Sequence, residues 1–146
     1  MNPLNHKKAL NRFQKNKLIK EALNVRKNAY CPYSRYAVGA AVLTSSGKIY
    51  SGCNVENSSY GLSICAERNA IFNAVACGDK KITAICVATK SPKPCGACRQ
   101  VIMEFASQGC PVLLVDVSLK DPYSNVLETT AAHLLPWAFV LNQRRK

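Results

Sequence analysis

Apolar residues recur along this chain with two different periods, which predicts an alternation of helices and strands. Over residues 15–29 they recur at helical spacing between Lys, Glu, Asn and Arg, which predicts an amphipathic first helix. The proline-containing turn at 30–34 ends this helix, because proline disfavours helical backbone in the residue before it. Two β-rich runs, 38–44 and 48–53, flank a Ser-Ser-Gly turn and predict a hairpin.

The rest of the chain continues this alternation after a polar, turn-rich stretch at 54–61. The runs that follow predict, in order, a helix over 65–77, a strand over 82–88, a helix over 96–107, a strand over 112–117 and a short helix over 128–134. Strands that alternate with helices favour crossover connections. The pattern therefore predicts an α/β sandwich with helices on both faces of one mixed sheet.

Composition places the chain among globular proteins. Its 146 residues are 48% hydrophobic and 19% charged, which suits a domain with a buried core and excludes a disordered chain. No run approaches the ~20 apolar residues that a bilayer crossing needs, and the N-terminus lacks the apolar centre of a signal peptide. We therefore expect a single domain over 1–146, a cytoplasmic location and no membrane partner.

Positive charge is concentrated at the two ends of the chain. The net charge is +12, and residues 1–27 carry eight Lys or Arg against the single acid Glu21. The last three residues are also basic, so the body between the ends is nearly neutral. Motifs typical of duplex or RNA binding are absent from the sequence. We interpret the ends as a basic extension over about 1–14 and a basic tail over about 142–146, and expect no nucleic-acid partner.

Cysteine is frequent, with eight in the chain. In a reducing compartment, clustered thiols indicate metal binding, whereas isolated ones act as small apolar residues. We expect the isolated cysteines to be buried in this way: Cys31, Cys53, Cys77, Cys86 and Cys110.

The three remaining cysteines begin two predicted helices. Cys65 opens one helix, and Cys95 and Cys98, in a C-x-x-C turn, open the next. A helix N-terminus favours thiolate over thiol, and thiolates are preferred zinc ligands. Three sulfur ligands leave a fourth position for water, which is typical of catalytic zinc. The same residues would also suit a structural zinc site with a fourth ligand such as Cys53, or a redox-active dithiol.

Two charged residues next to Cys65 extend this chemistry. Glu67 lies on the first turn of the predicted helix, where its carboxylate can exchange a proton with a metal-activated water without binding the metal. Neither a structural zinc site nor a dithiol gives this carboxylate a role. Because three thiolates and Zn²⁺ leave a net negative charge, we expect the neighbouring Arg68 to donate hydrogen bonds to ligand sulfur atoms and compensate it.

Five sequence blocks together resemble the homotetrameric, zinc-dependent cytidine deaminases of pyrimidine salvage. The C-x-E and P-C-x-x-C pair is the three-cysteine form of the pattern typical of zinc deaminases. The blocks are YCPYS at 30–34 with VGAA at 38–41, GCNVEN at 52–57 with Tyr60, CAER at 65–68, PCGACRQ at 94–100, and LLP at 134–136 with Ala138 and Phe139.

The resemblance implies a three-layer α/β/α sandwich around a mixed five-stranded sheet, with one Zn²⁺ per subunit. It implies hydrolytic deamination of cytidine and deoxycytidine to uridine and deoxyuridine, with release of ammonia. It further implies a homotetramer with shared active sites. Tyr60 and Phe139 match positions that approach a neighbouring subunit's site, where Phe139 stacks on the base.

The resemblance also assigns the residues of one subunit. The substrate is a small nucleoside, and Asn54 and Glu56 take its ribose hydroxyls, which suits an amide and a carboxylate. Tyr36 lies where the family typically has a Phe that packs on the pyrimidine, and Ala66 is also assigned to substrate binding. The zinc ligands are Cys65, Cys95 and Cys98, Glu67 shuttles protons, and Arg68 supports the ligands.

Two departures from the family border the expected position of the exocyclic amine. The connection over 88–94 is a few residues shorter, and Trp137 is bulkier than the usual residue. They leave open a deaminase of N4-modified cytidines or of a cytosine-containing antibiotic. The residues are also compatible with a polynucleotide deaminase or a non-catalytic zinc scaffold. Polynucleotide enzymes commonly have His in place of Cys65, however, and the Asn54 and Glu56 pair suits a free nucleoside.

Overall fold

Five strands and four helices make up residues 9–141, the part of the chain that this computed structural model describes. The elements in chain order are α1 (Arg12–Arg26), β1 (Gly39–Thr44), β2 (Ile49–Cys53), α2 (Ala66–Ala76), β3 (Ile82–Thr89), α3 (Gly96–Phe105), β4 (Pro111–Asp116), β5 (Val126–Thr130) and α4 (Ala131–Leu134), with a 3-10 turn at Tyr60–Leu62. None of the helices in this part of the chain combines the length and apolarity needed to cross a bilayer. The expected tail at 142–146 and residues 1–8 of the expected extension lie outside the described residues.

The strands form one mixed sheet in the order β2-β1-β3-β4-β5. β1 pairs antiparallel with both β2 and β3, β3 pairs parallel with β4, and β4 pairs antiparallel with β5. Because β3 and β4 are parallel, α3 must cross over the sheet between them. The mixed five-stranded sheet expected from the resemblance is confirmed.

Helices cover both faces of this sheet, because buried side chains alternate along the central strands. On one face α1 packs its buried residues against Ala41, Ala84, Cys86 and their neighbours. On the other face α2, α3 and α4 pack against Val42, Ile85 and their neighbours. The three-layer α/β/α sandwich is therefore confirmed, and β3 is buried along nearly its whole length, as a strand between two layers requires.

α1 begins three residues before the predicted start at 15, because a capping box precedes the apolar pattern. The Asn11 side chain accepts a hydrogen bond from the Gln14 N–H at 2.8 Å, and the Gln14 side chain accepts one from the Asn11 N–H at 3.2 Å. These bonds satisfy two backbone donors that a helix start leaves free. Residues 12–14 of the expected extension thus belong to the folded domain.

The prediction of a helix over 128–134 is wrong in its first part. Residues 126–130 form β5, which pairs with β4 from Val126 opposite Val115 to Thr130 opposite Pro111. Val126, Thr129 and Thr130 are β-branched and favour extended backbone over helix. The helix begins only at Ala131, after the Thr130 side chain accepts a hydrogen bond from the His133 N–H.

The isolated cysteines divide into three groups. Cys86 and Cys110 are buried as expected, and burial raises the pKa of the Cys86 thiol to about 12. Cys31 and Cys53 are only half-buried. The expectation is wrong for Cys77, which is exposed at the C-terminal end of α2, where the helix leaves the sheet.

Two glycines allow the helices to approach the hairpin closely. A Cβ at Gly52 of β2 would lie 2.4 Å from the Ala70 backbone nitrogen of α2. A Cβ at Gly39 of β1 would lie 2.1 Å from the Ala22 carbonyl oxygen of α1. The obstructing atoms belong to helix backbone, so no side-chain rotation relieves the overlap. The position of α2, and of the residues at its N-terminus, therefore depends on Gly52.

We predict that Gly52→Ala lowers the free energy of unfolding by about 3 kcal/mol, because α2 must move away from β2. Gly61→Ala is the matched control, since a Cβ there meets open space. Chemical denaturation of both variants is the measurement. Equal stability of the two variants would contradict the close packing of α2 on β2.

Candidate active site

The predicted zinc ligands lie at the N-termini of two neighbouring helices. Cys65 is the N-cap residue of α2, Cys95 is the N-cap residue of α3, and Cys98 is buried in the first turn of α3. Neither N-cap side chain caps its own helix, so both sulfur atoms are available to a ligand. The helix dipoles favour negative charge at this place.

The structure brings the three sulfur atoms together. The Cys65 and Cys95 Sγ atoms are 3.8 Å apart, and all three lie within 4.8 Å of one another. A tetrahedron with zinc–sulfur bonds of 2.3 Å has edges of about 3.8 Å. The soft sulfur donors and their spacing fit Zn²⁺ with three protein ligands and one open position.

The close packing of the three thiols shifts the pKa values of Cys65 and Cys98 in opposite directions. A hydrogen bond from Cys98, followed by those from Arg68 and Cys95, lowers the pKa of Cys65 to about 5 against the opposing effect of burial. The same bond to Cys65, together with burial and the negative charge of Glu67, raises the pKa of Cys98. A single negative charge is thus tolerated in the cluster. Ionisation of all three sulfur atoms requires a cation between them.

Arg68 lies beside the cluster as expected. Its Nη2 donates to the Cys65 Sγ atom at 3.6 Å, and this bond to a thiolate raises the pKa of the guanidinium. The Arg68 Nε atom is buried and has no hydrogen-bond partner within residues 9–141. The guanidinium therefore supplies positive charge to the ligand sulfur without filling the open metal position.

Glu67 is buried on the first turn of α2, with 4% of its surface exposed. Burial raises the pKa of its carboxyl group, and the negative charge of Cys65 raises it further. The side chain comes within hydrogen-bonding reach of Cys98 and borders the cavity beside the sulfur atoms. A carboxyl group with a raised pKa in such a place is suited to accept and return a proton near neutral pH.

A cavity of about 360 Å³ opens next to the sulfur cluster, within the range typical of small-molecule sites. Cys65, Cys95 and Glu67 border one part of it, and Asn54 and Glu56 border another. The predicted metal, proton-transfer and sugar-binding groups thus share one space.

Asn54 is held rigidly by the backbone of the loop before β1. Its Oδ1 atom accepts from the Val38 N–H at 2.8 Å, and its Nδ2 atom donates to the Tyr36 carbonyl at 2.8 Å. One N–H of the amide and one lone pair of its oxygen remain for a ligand.

Glu56 is oriented by three donors from the turn at 33–34. The Tyr33 N–H donates to Oε2 at 2.9 Å, the Ser34 N–H donates to the same atom at 3.2 Å, and the Ser34 hydroxyl donates to Oε1. Loss of water around the carboxylate raises its pKa, but the donated hydrogen bonds outweigh this effect and the net pKa is lowered. Glu56 is therefore an anion whose remaining lone pairs can accept from hydroxyl groups.

Two aromatic residues singled out from the sequence border the cavity. Tyr36 borders the cavity, as the resemblance implies. Tyr60 also borders the cavity of its own chain and meets Tyr33 edge to face, with ring centroids 6.2 Å apart. Its approach to a neighbouring subunit's site stays a prediction. Tyr60 is the first residue of the 3-10 turn at Tyr60–Leu62.

Three residues that were expected at or near the substrate, Ala66, Trp137 and Phe139, do not border this cavity. Ala66 is fully buried as the first residue of α2, so its side chain packs in the core. Phe139 is 71% exposed, and its carbonyl accepts from the Gln100 side chain at 2.9 Å. Trp137 is fully exposed, with a left-handed φ of 57° that favours glycine.

Ser34 and Lys93 are polar residues of the cavity that had no role assigned from the sequence. Ser34 lines it and orients Glu56, and Lys93 lines it next to Cys95. Ser34 belongs to the block at 30–34, but its partner lies 22 positions away. The sequence feature that could have pointed to Lys93 is its position in the short connection before Pro94.

Known proteins share both the sequence and the architecture of this chain. The family model described as the cytidine and deoxycytidylate deaminase zinc-binding region matches residues 13–114. A cytidine deaminase of Sporosarcina psychrophila is 48% identical over 126 residues, which cover 84% of this chain and 89% of that protein.

Solved structures agree with these matches. The crystal structure of a cytidine deaminase from Burkholderia pseudomallei has a TM-score of 0.77 and 44% identity, covering 85% of this chain and 98% of that one. The one from Mycobacterium tuberculosis has a TM-score of 0.72 and 36% identity, covering 86% and 97%. The match over 13–114 and the identity of nearly one half establish that this chain belongs to the cytidine and deoxycytidylate deaminase family.

Proposed function

We propose that this chain catalyses the hydrolytic deamination of cytidine and deoxycytidine to uridine and deoxyuridine, with release of ammonia. The observation that carries the proposal is the position of Glu67. This buried carboxyl group shares one cavity with the three-sulfur cluster and with Asn54 and Glu56. A structural zinc site would have no use for an acid that borders a nucleoside-sized space.

Cys65, Cys95 and Cys98 would hold one Zn²⁺ per chain, and this ion, when bound, supplies Lewis-acid activation of the attacking water. As the oxygen of the water bonds to C4 of the pyrimidine, Glu67 accepts one of the water's protons and delivers it to N3. Glu67 then takes the second proton from the new C4 hydroxyl and delivers it to the amino group. The C4–N bond breaks, ammonia leaves and C4 becomes the carbonyl carbon of the product. The raised pKa of Glu67 suits a group that must take up and give back a proton in each turnover.

The substrate would be oriented by groups that the fold already holds in place. Glu56 and Asn54 would bind the ribose hydroxyls, and Tyr36 would pack against the base. Because their geometry is set before the ligand arrives, little conformational entropy is lost on binding. Ala66 would act only through its backbone, because its side chain is buried.

We predict that Glu67→Gln lowers turnover of cytidine by about 10²–10⁴-fold, because the amide cannot carry the proton. Ammonia release under saturating cytidine is the measurement. Glu104→Gln makes the same chemical change at an exposed position of α3 and should leave turnover unchanged. Near-normal activity of Glu67→Gln would refute the proton-transfer role.

We predict that Cys95→Ala abolishes tight zinc binding and lowers the melting temperature of the metal-loaded protein, because two thiolates cannot replace three. Zinc per chain after dialysis and the melting curve are the measurements. Cys77→Ala is the matched control, since Cys77 is exposed at the other end of α2. Full zinc retention by Cys95→Ala would exclude Cys95 as a ligand.

We further propose that the chain assembles into a homotetramer with shared active sites. Two apolar surfaces support this proposal. The first comprises exposed apolar side chains at and near Tyr60, which borders the cavity: Tyr30, Tyr33, Tyr60 and Leu62. The second surface is the C-terminal segment of the described residues, where Trp137, Phe139, Val140 and Leu141 are all at least 68% exposed. Such concentrations of exposed apolar side chains are typical of interfaces.

The sharing of sites can be tested by complementation. We predict that Phe139→Ala and Glu67→Gln are each impaired alone, and that refolding them together restores part of the activity. In a mixed assembly, a chain with intact Glu67 receives Phe139 from its neighbour. Ammonia release by the mixture, compared with the sum of the separate variants, is the measurement. Activity equal to that sum would show that Phe139 does not act across a subunit boundary.

A cytoplasmic location forms part of this proposal. It is supported by the three thiols of the cluster, which bind metal only while reduced.

A further inference from the structure

The connection between β3 and α3 is tied to the cavity wall by a hydroxyl group. The Tyr36 hydroxyl donates to the Lys90 carbonyl at 2.8 Å, across 54 positions of sequence. A phenylalanine at this position has no hydroxyl group and could not make this bond. Tyr36 and Lys93 both line the cavity, so the bond joins two parts of one wall.

The same connection is also held from its outer side. The Ser91 N–H lies close to the carboxylate of Asp116 at the end of β4, and after the hydrogen bonds from Ser118 it helps to lower the pKa of this carboxyl group. That carboxylate is itself fixed by the Ser118 N–H at 2.9 Å and the Ser118 hydroxyl at 2.6 Å. Ser91 has a left-handed φ of 50°, which is costly for a residue other than glycine. The short connection is thus held in a strained shape by anchors on both sides.

The Tyr36 backbone is held in place by two hydrogen bonds, which fix the point from which its side chain reaches Lys90. Its N–H donates to the Ser34 hydroxyl oxygen at 3.0 Å, and its carbonyl accepts from Asn54 Nδ2 at 2.8 Å. These partners also belong to the part of the cavity proposed to bind the sugar. The bond to Lys90 therefore links the sugar end of the cavity to the connection that leads into Cys95.

The connection borders the space for the leaving amino group. In the proposed reaction, water is activated at the sulfur cluster, so the carbon that loses its amino group must face this cluster. Thr89, Lys93 and Cys95 line the cavity there. A substituent on the amino nitrogen would have to fit between this wall and the cluster.

We propose that the Tyr36 hydroxyl is a positioning group that holds residues 90–93 against the cavity and so limits the size of substituents on the amino nitrogen of the substrate. This inference rests on the proposed function. It concerns the hydroxyl alone, because the ring can pack against a base without it.

The test compares cytidine with N4-methylcytidine. Tyr36→Phe keeps the ring and removes the hydrogen bond to the Lys90 carbonyl. The ratio of kcat/KM for cytidine to that for N4-methylcytidine should therefore fall about fivefold. That factor corresponds to the loss of one neutral hydrogen bond. A purely structural role would slow both substrates equally and leave the ratio unchanged.

Two further variants place the effect in the connection. Ser91→Gly relaxes the strained backbone without touching the ring, and it should lower the ratio in the same direction. Its effect should be less than additive with that of Tyr36→Phe, because both act on one element. Lys90→Ala is the matched control, since it keeps the accepting carbonyl and should leave the ratio unchanged.

Binding measurements separate this inference from the proposed function. In the zinc-loaded Glu67→Gln protein, calorimetry gives Kd values for both nucleosides without turnover, with and without Tyr36→Phe. If Tyr36→Phe lowers the ratio of the affinity for cytidine to that for N4-methylcytidine, the positioning role of the Tyr36 hydroxyl is supported. This result would stand even if the wild-type protein released no ammonia from cytidine, which would refute only the proposed function. An unchanged ratio in a folded, zinc-loaded Tyr36→Phe protein overturns the inference.

Discussion

Three thiols packed within 4.8 Å of one another cannot all ionise unless a cation lies between them. Several features of this fold place positive charge or positive dipole ends at the three sulfur atoms. α2 and α3 both begin at the cluster, so the positive ends of their dipoles face the same point. Arg68 adds a formal positive charge beside Cys65. The close contact of α2 with Gly52 determines where this arrangement lies relative to the sheet.

The groups proposed to bind substrate also hold the polypeptide together. Asn54 and Glu56 satisfy backbone donors of the segment that leads into β1, and in return these donors fix both side chains. A substitution at either position therefore changes local folding together with ligand binding.

The elements that depend on local pattern could be predicted from the sequence. The hairpin, the first three helices and the buried strands follow from periodicity, and the grouping of Cys65, Cys95 and Cys98 follows from their places at two helix starts. β5 could not be predicted in this way, because its extended form depends on pairing with β4. The bond from Tyr36 to Lys90 joins residues 54 positions apart, and nothing in the local sequence of either one indicates it.

The separation of Cys65 from Cys95 has a consequence for the unfolded chain. An ion shared by these residues closes a loop of 30 residues that contains α2 and β3. A covalent cross-link of that span would lower the entropy of the unfolded state by the equivalent of about 3.5 kcal/mol. The metal would thus act as a reversible cross-link between two segments of the chain. Its loss would increase the number of conformations open to the unfolded polypeptide.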